Sequence, residues 1–185
     1  MNSKTKFAIG IPLFLLIAAV GYLNLPWLLI YIGVESGPNP PAPDITYGEF
    51  PFRLEYELNG ERIVIEDTVI CEYDGIDSDE AQGKFRKWKA RLASGGTEGD
   101  AKLILLKVDE AKQILYYPGT ADFYMGDPYT HYENNFSFPD AVIAEKDSSS
   151  RLIFANELLQ KYHIKLISWN YSKPITNSFA SNNKR

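Results

Sequence analysis

Phe52-Arg53-Leu54-Glu55-Tyr56-Glu57-Leu58-Asn59-Gly60-Glu61-Arg62-Ile63-Val64-Ile65 is the stretch that decides the fold class of this chain. Phe52, Leu54, Tyr56 and Leu58 alternate with Arg53, Glu55 and Glu57, the period of a strand with one buried and one wet face. Asn59-Gly60 is the preferred pair for a two-residue type I′ turn, which needs positive φ at both central positions. Ile63-Val64-Ile65 begins the return strand and Val69-Ile70-Cys71 resumes it. The acidic pair Glu66-Asp67 between them reads as a bulge or a break.

Further along the chain, residues 84–92 fit two templates. A helix would put Ala81, Phe85, Trp88 and Leu92 on one face. A strand would turn Trp88, Ala90 and Leu92 inward and Lys87, Lys89 and Arg91 outward. Gly83 interrupts the helix, so the strand is preferred. Residues 102–108 and 113–117 form a second hairpin, closed by Pro118-Gly119. Residues 141–145 and 151–154 are short strands, and Asn156 is a good N-cap for a helix over 157–162. A last strand covers 164–169, and the polar run from Asn177 marks a frayed tail. The fold class is α+β: an N-terminal transmembrane helix, then a small, mainly antiparallel sheet domain with one or two short helices.

Several blocks carry a resemblance: Glu49-Phe50-Pro51-Phe52 leading into Asn59-Gly60, the run from Glu66 to Glu72, Tyr124-Met125-Gly126-Asp127-Pro128, Phe138-Pro139-Asp140-Ala141, and the run from Leu158 to Lys165. They resemble a family of uncharacterised membrane-anchored proteins of Gram-positive bacteria. The resemblance implies a bacterial extracytoplasmic setting and carries no activity, so it assigns no functional residue.

Towards the N-terminus, residues 7–34 make a run of 28 without a charge. A bilayer core of about 30 Å needs about 20 apolar residues in helix, so the run reads as an uncleaved signal-anchor. Lys4 and Lys6 precede it and no basic residue follows until Arg53. That asymmetry puts the N-terminus in the cytoplasm and the remainder outside the cell membrane. Cleavage after Ala19-Val20-Gly21 is the competing reading, but it would leave a greasy mature N-terminus. Pro26 marks a kink or the exit from hydrocarbon, with Trp27 and Tyr31 at the interface. Residues 35–44 hold four prolines and read as a semi-rigid spacer. The domain is then 45–175, with a disordered tail over 176–185.

After the span lie 17 basic and 24 acidic residues, a net charge of −7, which argues against nucleic acid as a partner. Cys71 is the single cysteine, so the domain depends on its apolar core rather than on an internal disulfide. None of the common hydrolase, phosphate-binding or dithiol motifs occurs. Cys71 with His131 or His163 is a remote nucleophile pair; a buried thiol and a C-capping histidine are the plainer readings. Asp74, Asp77, Asp79 and Glu80 form an acidic turn without EF-hand spacing, and Asp122, Asp127, His131 and Glu133 are too irregular to name a metal site. No metal or cofactor is expected.

Two features suit a partner. Lys84, Arg86, Lys87, Lys89 and Arg91, interleaved with Phe85 and Trp88, are either a docking stripe or a solvated sheet face. Residues 116–138 contain eight aromatics, either packed inward or displayed for sugar rings or a protein partner. The candidate partner-binding residues are therefore Lys87, Trp88, Lys89, Arg91, Tyr124, Tyr129 and Tyr132. Asn135-Phe136-Ser137 and Asn170-Tyr171-Ser172 match the glycosylation triplet, a short pattern that arises by chance. The expected function is a non-enzymatic, membrane-tethered extracytoplasmic binding module for an envelope glycan or protein. An envelope enzyme of unknown class and an accessory subunit of a larger membrane complex are the alternatives.

Overall fold

Residues 3–95, 101–128, 137–146 and 150–179 are described by the computed structural model of the chain. They form two compact units.

The first unit holds the helix α1 (Ser3–Ser36) and the hairpin tip Ile76–Phe85. At about 1.5 Å per residue, the 34 residues of α1 extend roughly 51 Å, well beyond a bilayer core. Ala18–Ser36 is long and apolar enough to cross a membrane, and none of it is buried. The helix continues through Pro26 to Ser36. Just before the proline, Asn24 donates to the Val20 carbonyl at 2.7 Å. At the far end, Lys84 Nζ donates to the Glu35 carbonyl at 2.7 Å, placing a cation where the helix dipole is negative. Ser78 Oγ meets Glu35 Oε1 at 3.2 Å. In the same hairpin tip Asp79 accepts from the Ala81 and Gln82 amides at 2.8 and 2.6 Å, so this acid closes a turn.

The second unit is built on two four-stranded sheets. One has the order β3-β2-β1-β8 and the other β4-β5-β6-β7. β1 (Tyr47–Leu58) and β2 (Glu61–Asp79) pair antiparallel in constant register from Tyr47↔Glu72 to Leu58↔Glu61. The bulge expected at Glu66-Asp67 therefore does not occur. Asn59 and Gly60 have φ of 54° and 84°, as the type I′ turn requires. β3 (Gly83–Leu92) is a strand, with Ala90 and Leu92 buried and Lys87, Lys89 and Arg91 exposed. β8 (Ile164–Tyr171) lies on the other side of β1, and the one register shift there falls at Glu55/Tyr56.

The second sheet comprises β4 (Leu103–Lys107), β5 (Lys112–Tyr116), β6 (Ala141–Glu145) and β7 (Arg151–Ile153), all antiparallel. Two short helices join them: α2 (Ala121–Tyr124) and α3 (Ala155–Tyr162). α3 begins two residues earlier than expected, and Asp140 rather than Asn156 accepts its first amide, at 2.7 Å. His163 ends it in the left-handed conformation, the C-cap position.

One core draws on both sheets. Phe50, Phe52, Leu54 and Tyr56 of β1 meet Leu103, Leu105, Ile114, Tyr116 and Ile143, and Tyr124, Met125 and Leu158 complete it. This is the period-2 alternation of the opening stretch made physical.

Two expectations about the chain's connecting segments need correction. The proline spacer is partly docked: Pro43 is buried, and the Pro41 carbonyl accepts from Arg86 at 3.1 Å. The end of the chain is not frayed over 176–179. Ile175 donates to the Tyr124 carbonyl at 2.9 Å, Asn177 exchanges hydrogen bonds with Ile45 at 3.0 and 2.8 Å, and Asp44 donates to the Ser178 carbonyl at 2.9 Å. Both segments lack partners of their own, and each supplies backbone groups to the other. Residues 180–185 lie outside the described residues.

Candidate functional site

An open groove of about 590 Å³ crosses the outer face of the first sheet. β1 contributes Pro51, Phe52 and Arg53, β2 contributes Glu66, Asp67 and Thr68, and β8 contributes Asn170, Tyr171 and Ser172. The register explains the grouping. Arg53 stands opposite both Glu66 and Asn170, and Pro51 stands opposite Thr68. Because alternate residues share a face, the positions flanking the buried Phe50, Phe52 and Leu54 point to this outer side.

The charged groups in and beside the groove are each held by a neighbour. Arg53 reaches Glu55 and Glu66, each at 3.2 Å. Glu55 is 6% exposed although it lies on the outer face. Arg62 donates to it at 2.6 Å and Ser168 at 3.1 Å. The Arg62 hydrogen bond, aided by those of Arg53 and Ser168, outweighs desolvation and holds the Glu55 carboxyl down to about 2. Asp67 accepts from the Thr68 amide and from both the amide and hydroxyl of Ser94. Ser172 closes one end, donating through Oγ and N to the Pro51 carbonyl at 2.8 and 3.1 Å.

The residues expected to bind a partner lie elsewhere, and most are occupied. Lys87 and Lys89 both pair with Asp74, at 3.8 and 2.8 Å, and Arg91 pairs with Glu72 at 3.4 Å. Their stripe is a sheet face neutralised by the neighbouring strand. Arg86, counted with that stripe, points the other way and is buried. Its Nε and Nη2 contact the two Asp127 oxygens at 2.6 and 2.5 Å, and its guanidinium lies 4.2 Å from the Phe179 ring centre. Trp88 Nε1 joins the same carboxylate at 2.9 Å, so Trp88 serves the interior. Asp127 is thereby consumed and is not a metal ligand.

Tyr124 is withdrawn as a binding residue. It is fully buried, stacks on Phe50 at 4.6 Å and donates to the Pro118 carbonyl at 2.6 Å. Tyr116 is equally buried, while Phe138 is 37% exposed. Tyr129, Tyr132, His131, Glu133 and Phe136 lie outside the described residues. Cys71 is fully buried, and burial pushes its thiol up to about 12, far from a reactive thiolate at neutral pH. Among the described residues no cluster of His, Cys, Asp and Glu gathers with metal-site geometry.

None of the expected partner-binding residues lines the groove; its β8 residues Asn170, Tyr171 and Ser172 stood out in the sequence only as a glycosylation triplet. No family model, no curated protein and no solved structure matches the chain. Arg53, Glu66 and Asp67 were visible as polar positions of β1 and β2. The remaining wall comes from β8, more than a hundred residues away, and only the strand order brings Asn170 opposite Arg53.

Proposed function

We propose that this chain is a membrane-tethered binding module, held by α1 with its N-terminus in the cytoplasm, whose β-domain presents the groove to ligands outside the cell. The observation that carries the reading is an open polar groove on a folded domain whose chain begins in a helix long enough to span. Lys4 and Lys6 before the apolar run support the orientation. The resemblance to membrane-anchored Gram-positive proteins supports a bacterial envelope. The strongly perturbed groups are all pushed away from neutral pH, with Tyr116, Tyr124 and Cys71 raised by burial and Glu55 and Glu157 lowered by hydrogen bonds from basic side chains, which suits structure better than proton transfer. Protease added to intact cells tests the reading: the β-domain is removed while the residues of the span survive. Complete protection of the domain overturns it.

A further inference from the structure

Asn24 is the one carboxamide in the uncharged run 7–34, which holds no Ser, Thr, Gln or His. Because α1 is continuous through Pro26, this residue lies deep in any bilayer the helix crosses. The middle of the uncharged run falls between Val20 and Gly21, and that of the apolar segment Ala18–Ser36 falls at Trp27. At about 1.5 Å per residue, Asn24 is roughly 5 Å along the axis from either. A hydrocarbon core about 30 Å thick contains it on both reckonings.

A carboxamide has two N–H donors and an oxygen that accepts. The Asn24 amide donates to the Val20 carbonyl at 2.7 Å, and among the described residues no hydrogen bond reaches its Oδ1. None of Ala18–Ser36 is buried against the rest of the chain. In water these groups would be solvated. Lipid tails offer neither donor nor acceptor, so in hydrocarbon an unmet amide is costly and draws a partner from another helix.

The chemistry of the group selects that partner. A carboxamide carries donor and acceptor together, so across a two-fold axis each copy supplies what the other lacks, and the bond forms twice. A helix offering only donors or only acceptors would satisfy half of it. The surrounding face suits close approach. Gly21 is one turn before Asn24 on the same side, and a Cβ there would meet nothing within 4 Å, so a second backbone can draw near. Leu28 and Tyr31, 52% and 63% exposed, continue the spacing of alternating threes and fours that marks a helix-pairing seam. One asparagine within such a seam fixes register and the number of helices.

We infer that α1 pairs in parallel, within the membrane, with α1 of a second copy of this chain, along Gly21, Asn24, Leu28 and Tyr31 and through a reciprocal Asn24–Asn24 hydrogen bond. The inference rests on the reading of α1 as a span and names the partner of that span.

The test reconstitutes the full chain in phosphatidylcholine vesicles and oxidises variants carrying Leu28→Cys, on the Asn24 side, or Leu29→Cys, turned away from it. Cys71 is fully buried and takes no part. Leu28→Cys is expected to give a disulfide-linked dimer and Leu29→Cys little. Sedimentation equilibrium of the parent chain in density-matched micelles then gives a dimer constant that Asn24→Ala weakens about tenfold. Asn24→Gln, which keeps the carboxamide, retains most of it, and circular dichroism verifies that each variant is folded. A chain that is monomeric at every protein-to-lipid ratio overturns the inference. So does equal cross-linking from residues 28 and 29, or association unchanged by Asn24→Ala. If external protease removes the β-domain from intact cells while the chain proves monomeric, the pairing is wrong and the tethered-module reading stands.

Discussion

Replacing Asp127 by Ala strikes the most concentrated polar interaction in the β-domain. The Arg86 and Asp127 side chains are 1% and 4% exposed, so neither charge has water to fall back on. The substitution removes two guanidinium hydrogen bonds and that of Trp88 Nε1. Arg86 keeps the Pro41 carbonyl and the Phe179 ring, which solvate it only in part. Breaking a buried pair from one side costs about 3–5 kcal/mol, mostly the penalty of the stranded charge. For a domain of about 140 residues that is a large part of a total near 5–15 kcal/mol, and it lowers Tm by roughly 10–20 °C. Thermal unfolding of the full chain followed by near-UV circular dichroism reads it directly. The double change Arg86→Met with Asp127→Leu removes both charges, and its cost is far smaller than the sum of the single changes. If Asp127→Ala lies within about 1 kcal/mol of the parent, the pair is solvated and the reasoning fails.

Three further outcomes are expected. Gly126→Ala destabilises by more than about 2 kcal/mol in denaturant titration, since the backbone is at φ +64° and the added Cβ would sit 2.3 Å from the Ile175 carbonyl oxygen; faster proteolysis after Tyr171 accompanies it as Ile175 loses its seat, and an unchanged midpoint contradicts this. Tyr116→Phe stabilises by about 1 kcal/mol, because the buried hydroxyl has no hydrogen-bond partner among the described residues; a loss of stability shows that the hydroxyl is satisfied. Glu55 has a folded-state pKa near 2 against an ordinary 4.5, so the stability it supplies is present above about pH 4.5 and is lost as pH falls towards 2. The stability difference between parent and Glu55→Gln accordingly shrinks across that window, in which Glu157 also titrates but cancels between the two chains; a difference independent of pH refutes the assignment.

The parts of the fold legible in the sequence are those where a local pattern repeats the physical constraint. Phe52, Leu54 and Tyr56 had to alternate because β1 has one buried face, and Asn59-Gly60 had to be a turn because both φ values are positive. Arg86 was misread although the same alternation puts it on the side of Trp88, Ala90 and Leu92. Its charge suggested solvent, and the carboxylate that permits burial lies 41 residues away in a loop. Tyr124 was misread for a related reason. An aromatic-rich loop looks the same whether it is displayed or folded back, and here α2 turns the ring onto Phe50. Asn177 and Ser178 looked frayed because they are polar, whereas hydrogen bonds from the Asn177 side chain and the Ser178 carbonyl hold them, and composition does not report these.

The same bookkeeping shapes what kind of binder the domain makes. Among the described residues the arginines turn inward or against the chain's own carboxylates, so no positive patch of arginines is left to steer a ligand from a distance. An open groove with a few hydrogen bonds yields weak affinity at a single site, because ordering a flexible ligand opposes a small gain. Tethering changes that arithmetic. Many copies confined to one surface, facing a polymer that repeats the same unit, convert later contacts into intramolecular ones at high effective concentration, without any added contact. On the proposed reading, tethering by the helix supplies the avidity that the groove, on its own, lacks.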